Sequence, residues 1–155
     1  MELEIEMLMH AARTGHLQVL DELGELDFNQ KDAHGDTALI LAAKYKEYEV
    51  AKLLLAKGVD LDTADNEGNT PLMWAVLGGN ADIAELLIAN GATINLQRTD
   101  GATALMLAVI ANDQNLVKLL LLNGADTQVC NAVGLRALDL ANQLGNTHIL
   151  HLLGA

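Results

Sequence analysis

One similar segment returns along the chain at a fixed interval of 33 residues. Gly35, Gly68, Gly101 and Gly134 each open such a segment, and the segments read GDTALILAA, GNTPLMWAV, GATALMLAV and GLRALDLAN. Self-similarity at a period of roughly 20 to 50 residues is typical of chains that stack one small supersecondary unit on the next. Each unit then buries its apolar face mainly against its neighbours, so the period predicts a quasi-one-dimensional stack instead of one globular core.

The clearest copy of the repeated segment is residues 65–95, DNEGNTPLMWAVLGGNADIAELLIANGATIN. Pro71 is the only proline of the chain, and proline is favoured in the first turn of a helix because its missing N–H has no partner there. Gly78-Gly79 follows the first apolar helix and is interpreted as the turn between two helices, because no Gly-Lys-Ser/Thr follows it and no strand precedes it. The segment therefore predicts two short helices followed by a tight loop.

The period of 33 together with the core T-P-L-x-x-A resembles the ankyrin repeat family over nearly the whole chain. The resemblance implies an all-α ankyrin-repeat solenoid, with helix–turn–helix units joined by β-hairpin-like loops and about five repeats in a single domain, 1–155. The expected boundaries are an N-terminal capping repeat at 1–31, full repeats at 32–64, 65–97 and 98–130, and a C-terminal capping repeat at 131–155.

Several residues depart from the family pattern. Lys46 stands where relatives usually have Gly, so we expect the turn between the helices of the second repeat to be strained or reshaped. Arg98 replaces the usual Asp of a hairpin turn, which predicts the loss of one side-chain hydrogen bond. Arg136 replaces a helix-opening Thr. The family often has His after T-P-L, and the matching positions here are Ile40, Met73, Met106 and Asp139.

The charge balance restricts the class of partner. The chain has 9 Lys and Arg against 21 Asp and Glu, a net charge of −12. Phosphate backbones and anionic membranes repel such a surface, whereas a protein with a basic patch is attracted to it. The single Cys excludes an internal disulfide, and the first 30 residues show no secretory signal pattern. No apolar run is long enough to span a membrane, so we expect the chain in the cytoplasm. We expect a monomer because the stack has a capping repeat at each end.

No set of residues for catalysis can be assembled. The chain has no Ser, and Cys130 has no His near it in sequence to activate its thiol. His148 and His151 share a helix face, but a structural zinc site requires four ligands. Trp74 is expected in the core and not as a platform for a cofactor. The sequence therefore predicts no enzymatic activity, no cofactor and no metal site.

The family resemblance implies binding through a concave side that is built from the hairpin tips and the ends of the first helices. Tyr45, Leu77, Ile110 and Leu144 close successive first helices and would form a broken apolar ridge. The alternative is that Leu77 and Ile110 pack on the next repeat. The remaining expected partner-binding residues are Lys44, His34, Asp36, Asn66, Glu67, Asn69, Thr99 and Asp100.

The leading hypothesis is a non-catalytic module that binds a partner protein through this side. One alternative is a stoichiometric enzyme inhibitor, because the five-repeat layout is similar to that of the small cyclin-dependent kinase inhibitors built from ankyrin repeats. Against it, the second repeat has a full first helix, whereas those inhibitors have a shortened one. A further alternative is a binding scaffold, natural or engineered. An enzyme is the least favoured class.

Overall fold

A computed structural model describes residues 2–154, and these residues form ten α-helices and no β-strand. The helices are α1 (Glu2–Thr14), α2 (Leu17–Glu22), α3 (Ala38–Tyr45), α4 (Tyr48–Ala56), α5 (Pro71–Leu77), α6 (Ala81–Ala89), α7 (Ala104–Ile110), α8 (Gln114–Leu122), α9 (Ala137–Leu144) and α10 (Thr147–Leu152). Met1 and Ala155, which the predicted terminal repeats include, lie outside the described residues. Within residues 2–154, no helix has the length and apolar character needed to cross a bilayer.

The helices group into two compact units, which divide between Ala92 and Thr93. In the first unit α1, α3 and α5 pack in succession, and α2, α4 and α6 follow them as a second layer. In the second unit α7 packs on α9 and α8 packs on α10. The predicted all-α architecture of helix–turn–helix pairs is confirmed, and α3 is a full first helix.

The core of each unit is formed mainly by the first helices of the pairs. Every residue of 38–43 in α3 is at most 2% exposed. Ile40 and Met73 in the first unit, and Met106 in the second, occupy the positions where relatives have a polar His, and each is at most 1% exposed. Burial of one such side chain contributes about 1.5–3 kcal/mol, so apolar packing holds these positions.

Capping side chains lie at the starts of α3, α5, α7 and α9. The Thr37, Thr70 and Thr103 hydroxyls accept hydrogen bonds of 3.2–3.3 Å from the backbone N–H three residues later. These bonds satisfy N–H groups that a helix start leaves without partners. At α9, where Arg136 replaces Thr, the Asp139 carboxylate instead accepts from the Arg136 backbone N–H at 2.9 Å and from its guanidinium at 3.2 Å.

Successive hairpin turns within a unit are joined by backbone hydrogen bonds. The Asn66 N–H donates to the His34 carbonyl at 3.2 Å in the first unit, and the Ala132 N–H donates to the Asp100 carbonyl at 2.9 Å in the second. Gly35 lies where the next turn approaches, with a φ of +79°, and a Cβ added there would lie 2.8 Å from the Asn66 backbone nitrogen. The position therefore requires glycine for both its dihedral angle and its contact.

The turns between paired helices all place one residue in the left-handed region. Gly15, Gly79 and Gly145 take this conformation, as does Asn112. Lys46 also takes it, with a φ of 63° and a ψ of 31°, and its backbone N–H donates to the Ala42 carbonyl. The turn of the second repeat thus keeps the geometry of its neighbours and is strained, not reshaped, since a residue with a Cβ pays roughly 1–2 kcal/mol for this conformation.

Substitution of Gly35 and of Gly58 by Ala separates the effect of the positive φ at Gly35 from the effect of its close contact with the next turn. Gly58 has a similar φ of +75°, but a Cβ added there would meet nothing within 4 Å. We expect Gly35→Ala to lower the free energy of unfolding by at least about 1 kcal/mol more than Gly58→Ala, because only Gly35→Ala also overpacks a backbone contact. Urea unfolding followed by circular dichroism measures both values, and equal losses would contradict the close approach of the turns.

Lys46→Gly tests the strain in the turn of the second repeat. We expect it to raise the free energy of unfolding by up to about 1 kcal/mol, because relief of the left-handed strain exceeds the added entropy of the unfolded chain. Lys52→Gly in α4 is the matched control and should lower the stability by about 1 kcal/mol, since Lys52 lies inside a helix. Destabilisation by both substitutions would show that Lys46 is not strained.

Candidate functional site

Five of the residues predicted to bind a partner meet at one cleft in the first unit. His34, Asp36, Asn66 and Glu67 come from two successive hairpin turns, and Lys44 comes from the end of α3. The cleft encloses about 250 Å³, and two residues that were not among the predicted binding residues, Asp65 and Trp74, complete its lining. The turns of the second and third repeats and the helices that follow them therefore build a single polar recess.

Asp65 is the structural centre of the cleft. Its Oδ1 accepts hydrogen bonds of 2.9 Å from the backbone N–H groups of Glu67 and Asn69, and its Oδ2 accepts one of 2.8 Å from the Trp74 indole N–H. Burial acts to raise the pKa of Asp65, but the hydrogen bonds from Asn69, Trp74 and Glu67 outweigh it and hold the pKa below its usual value. The carboxylate thus fixes the turn and the indole ring together.

Trp74 is half-buried and lines the cleft, so the expectation of a core tryptophan was wrong. The residues at the same position of the neighbouring repeats, Leu41 and Leu107, are 2% and 3% exposed. The indole differs from leucine because its N–H requires an acceptor, and Asp65 supplies one at the rim. The signal in the sequence was the combination of a turn Asp with a Trp nine residues later, which occurs in the third repeat alone.

The ammonium group of Lys44 contacts both Asp36 and the ring of Trp74. Its Nζ is 2.6 Å from Asp36 Oδ2 and 4.2 Å from the centroid of the Trp74 ring. The side chain of Asp36 is 5% exposed and that of Lys44 is 23% exposed. Asn69, at the position equivalent to Asp36, is itself 1% exposed and donates its amide to Asp65. The Asn69 side chain is therefore buried behind the cleft, where it bonds the carboxylate of Asp65.

The predicted apolar residues lie exposed at the ends of the first helices. In the first unit, Tyr45 at the end of α3 is 54% exposed and Leu77 at the end of α5 is 41% exposed. In the second unit, Ile110 at the end of α7 and Leu144 at the end of α9 are both 53% exposed. None of the four is a core residue of its own unit.

Comparison with known proteins identifies the repeat. A family model described as ankyrin repeats (3 copies) matches residues 8–98 and again residues 82–155. The chain belongs to the ankyrin repeat family. A search of curated proteins finds none that matches it. Ankyrin repeats are generally protein–protein interaction modules and are generally non-catalytic.

The ankyrin hairpin at residues 98–102 is held differently from the others. Asp32 and Asp65 supply a carboxylate at the start of their hairpin turns, and Arg98 at the equivalent position does not. The Ala102 N–H instead donates to Asp100 Oδ1 at 2.9 Å. The Arg98 guanidinium donates to both oxygens of Asp100, at 2.9 and 2.7 Å. The expected loss of a side-chain turn bond is thus offset by an acceptor two residues later. Thr99, a predicted binding residue, is exposed between them.

Cys130, His148 and His151 are the other side chains that the sequence singles out for possible reactivity. Cys130 is an exposed free thiol, and His148 and His151 are exposed on α10. Among residues 2–154, no group of three or more His, Cys, Asp or Glu side chains is placed to hold a metal ion. The polar cleft and the exposed helix ends are therefore the features from which a function can be argued.

The lowered pKa of Asp100 predicts that the stability of the chain depends on pH. Hydrogen bonds from Arg98 and then from the Ala102 N–H lower the pKa of Asp100 to about 2. Because the pKa of Asp100 is lower in the folded chain than in the unfolded chain, its ionised carboxylate stabilises the fold. This contribution to the free energy of unfolding is present above the unfolded pKa of about 3.9 and is lost as the pH falls through about 2. We expect Asp100→Asn to destabilise the chain at pH 7 by less than about 1 kcal/mol, since the pair is exposed.

Urea unfolding at pH 7 and at pH 2 measures this effect. The difference between the wild type and Asp100→Asn should shrink at pH 2, where the wild-type carboxyl is partly protonated. Asp82→Asn, in which a helix-surface carboxylate of α6 is neutralised, is the control for the change of net charge. An Asp100→Asn effect that is equal at the two pH values would contradict the assigned role of the carboxylate.

Proposed function

We propose that this ankyrin chain is a non-catalytic interaction module that binds a partner protein through the hairpin turns and first-helix ends of its first unit. The observation that carries the proposal is the juxtaposition of two exposed apolar side chains, Tyr45 and Leu77, with a polar cleft. Tyr45 follows Lys44 at the end of α3, and Leu77 lies one helical turn after Trp74 in α5. Each of the two apolar residues thus lies in the same helix as, and close in sequence to, a residue that lines the cleft.

This combination has the chemistry of a protein-binding surface. Tyrosine is enriched among the residues that dominate binding energy, because it brings a large area with few rotatable bonds. Binding interfaces place such anchors at the centre and polar groups around them. Tyr45 and Leu77 supply the anchors, and His34, Asn66 and Glu67 supply the polar surroundings.

The backbone of this surface is organised before any partner binds. The Asn66 N–H joins two successive turns, and the Asp65 carboxylate fixes both the turn and the Trp74 ring. A surface that is already ordered loses little conformational entropy on binding, which favours affinity. The same surface needs no reactive group, in agreement with a binding function.

The charge of the chain supports a partner with a basic patch. A net charge of −12 accelerates association with a positively charged surface and makes the association rate fall with salt. Nucleic acid and anionic membranes are disfavoured for the same reason. We therefore propose another protein as the partner.

Paired variants test the proposed surface. The partner is captured from a lysate of the source cells, identified by mass spectrometry and purified, and its Kd is measured for each variant. We expect Tyr45→Ala/Leu77→Ala to weaken binding at least about thirtyfold, because truncated anchor residues cost about 2 kcal/mol or more. Leu3→Ala/Leu122→Ala is the matched control, since these leucines are 68% and 86% exposed and lie outside the surface.

The outcomes separate the possible surfaces. A loss with the Tyr45/Leu77 pair and none with the control supports the proposal. Ile110→Ala/Leu144→Ala tests the corresponding helix ends of the second unit separately. Wild-type affinity in the Tyr45/Leu77 variant would overturn the proposal, whichever other pair weakens binding.

A further inference from the structure

We propose that the cleft beside Trp74 receives an arginine side chain of the partner protein, and that Lys44 is an internal occupant which this arginine displaces. The inference rests on the proposed function and specifies the chemistry of its partner. It is carried by the arrangement of Asp36, Lys44 and Trp74, which together form a site for a cation and not only an acidic surface.

The first observation is a buried carboxylate oxygen without a hydrogen-bond partner. Asp36 is 3% exposed and lines the cleft, and Lys44 bonds only its Oδ2. Its Oδ1 is the one buried side-chain oxygen or nitrogen without a partner within residues 2–154. A buried polar atom of this kind costs about 1–3 kcal/mol, so the site gains from a ligand that supplies a second donor.

The second observation is that the Trp74 ring is fixed with one face placed to bind a cation. The Trp74 ring is fixed from its edge by the 2.8 Å hydrogen bond to Asp65, which leaves a face toward the Lys44 ammonium at 4.2 Å. Indole is the best aromatic partner for a cation, and its attraction increases as the site loses water. Lys44 therefore shows where in the cleft a positive charge is bound.

Arginine fits this site better than the lysine that occupies it. An ammonium is a compact point charge, and in the cleft it satisfies one oxygen of Asp36. A guanidinium has parallel N–H donors that can bond both oxygens of one carboxylate, and its planar face stacks on an aromatic ring. An arginine would thus satisfy Oδ1 and Oδ2 of Asp36 while it covers Trp74.

The charge of the cleft is compatible with an added cation. Three carboxylates, those of Asp36, Asp65 and Glu67, line it against the single positive charge of Lys44. When Lys44 swings out to solvent on its flexible stem, the recess regains its full negative charge and the arginine enters with opposite charge. A carboxylate or phosphate ligand would be repelled there.

The experiment follows the indole N–H signal of the 15N-labelled full chain, which contains a single tryptophan. The probe is N-acetyl-arginine N-methylamide, and the matched probes are the lysine and citrulline compounds. Citrulline has the shape of arginine without its charge. We expect saturable shifts with a Kd of roughly 1–10 mM for the arginine probe, at least fivefold weaker binding of the lysine probe, and no saturation with the citrulline probe.

Two variants link the shifts to the proposed contacts. Asp36→Asn should weaken binding of the arginine probe at least about tenfold, and Asn is tolerated in this setting because Asn69 occupies the equivalent position of the next repeat. Lys44→Met removes the internal cation and keeps the stem, so it should tighten binding about fivefold. Asp82→Asn, on α6, is the control for net charge and should leave the Kd unchanged.

The results distinguish this inference from the proposed function. Equal binding of the arginine and citrulline probes, no saturable indole shift, or unchanged affinity in Lys44→Met would each overturn the arginine site. If the partner nevertheless binds through Tyr45 and Leu77, the interaction surface stands and the cleft is not its specificity site. If the arginine probe binds as expected and the Tyr45/Leu77 variant keeps wild-type affinity for the partner, the proposed function fails instead.

Discussion

Burial of the first helices is the constraint on which the rest of each unit depends. A short helix pair has too little apolar surface to form a core alone, so it must pack on the pair beside it. Residues 38–43 show the result, because both sides of α3 lie against other helices and every residue is at most 2% exposed. Once the first helices are packed, their starts and ends are fixed in space. The hairpin turns then lie close enough for backbone hydrogen bonds, and Gly35 has no room for a side chain.

The binding surface follows from that framework. The core uses the middle of each first helix and leaves its last residue, such as Tyr45 or Leu77, at the surface. The turns that precede the helices bring carboxylates to the same end, where Asp65 holds Trp74 by its indole N–H. Packing and hydrogen bonding thus fix the positions of the groups that form the proposed surface. Among residues 2–154, Oδ1 of Asp36 is the buried side-chain oxygen that these internal contacts leave without a hydrogen-bond partner.

Periodicity made the helix pairs and the ankyrin family predictable, because the same local sequence pattern returns every 33 residues. Single departures were harder to interpret. The turn at Lys46 was expected to be strained or reshaped, and it keeps the positive φ of the other turns between paired helices. Trp74 was expected in the core because the family resemblance implies Leu or Trp at this position, and spacing alone does not contain the distance between its indole and Asp65. Likewise, the replacement of the Arg98 turn bond by Asp100 depends on a side-chain geometry that spacing alone does not contain.

NMR spectroscopy of the saturated complex with the purified partner shows whether a partner arginine lies against Trp74. The ring protons of Trp74 are observed in the ankyrin chain labelled with 13C and 15N, and nuclear Overhauser effects to the unlabelled partner are recorded. We expect shifted Trp74 signals with cross-peaks to the side-chain methylene protons of a partner arginine. A fully formed complex in which the Trp74 protons keep their free-state shifts and show no intermolecular cross-peaks would contradict it.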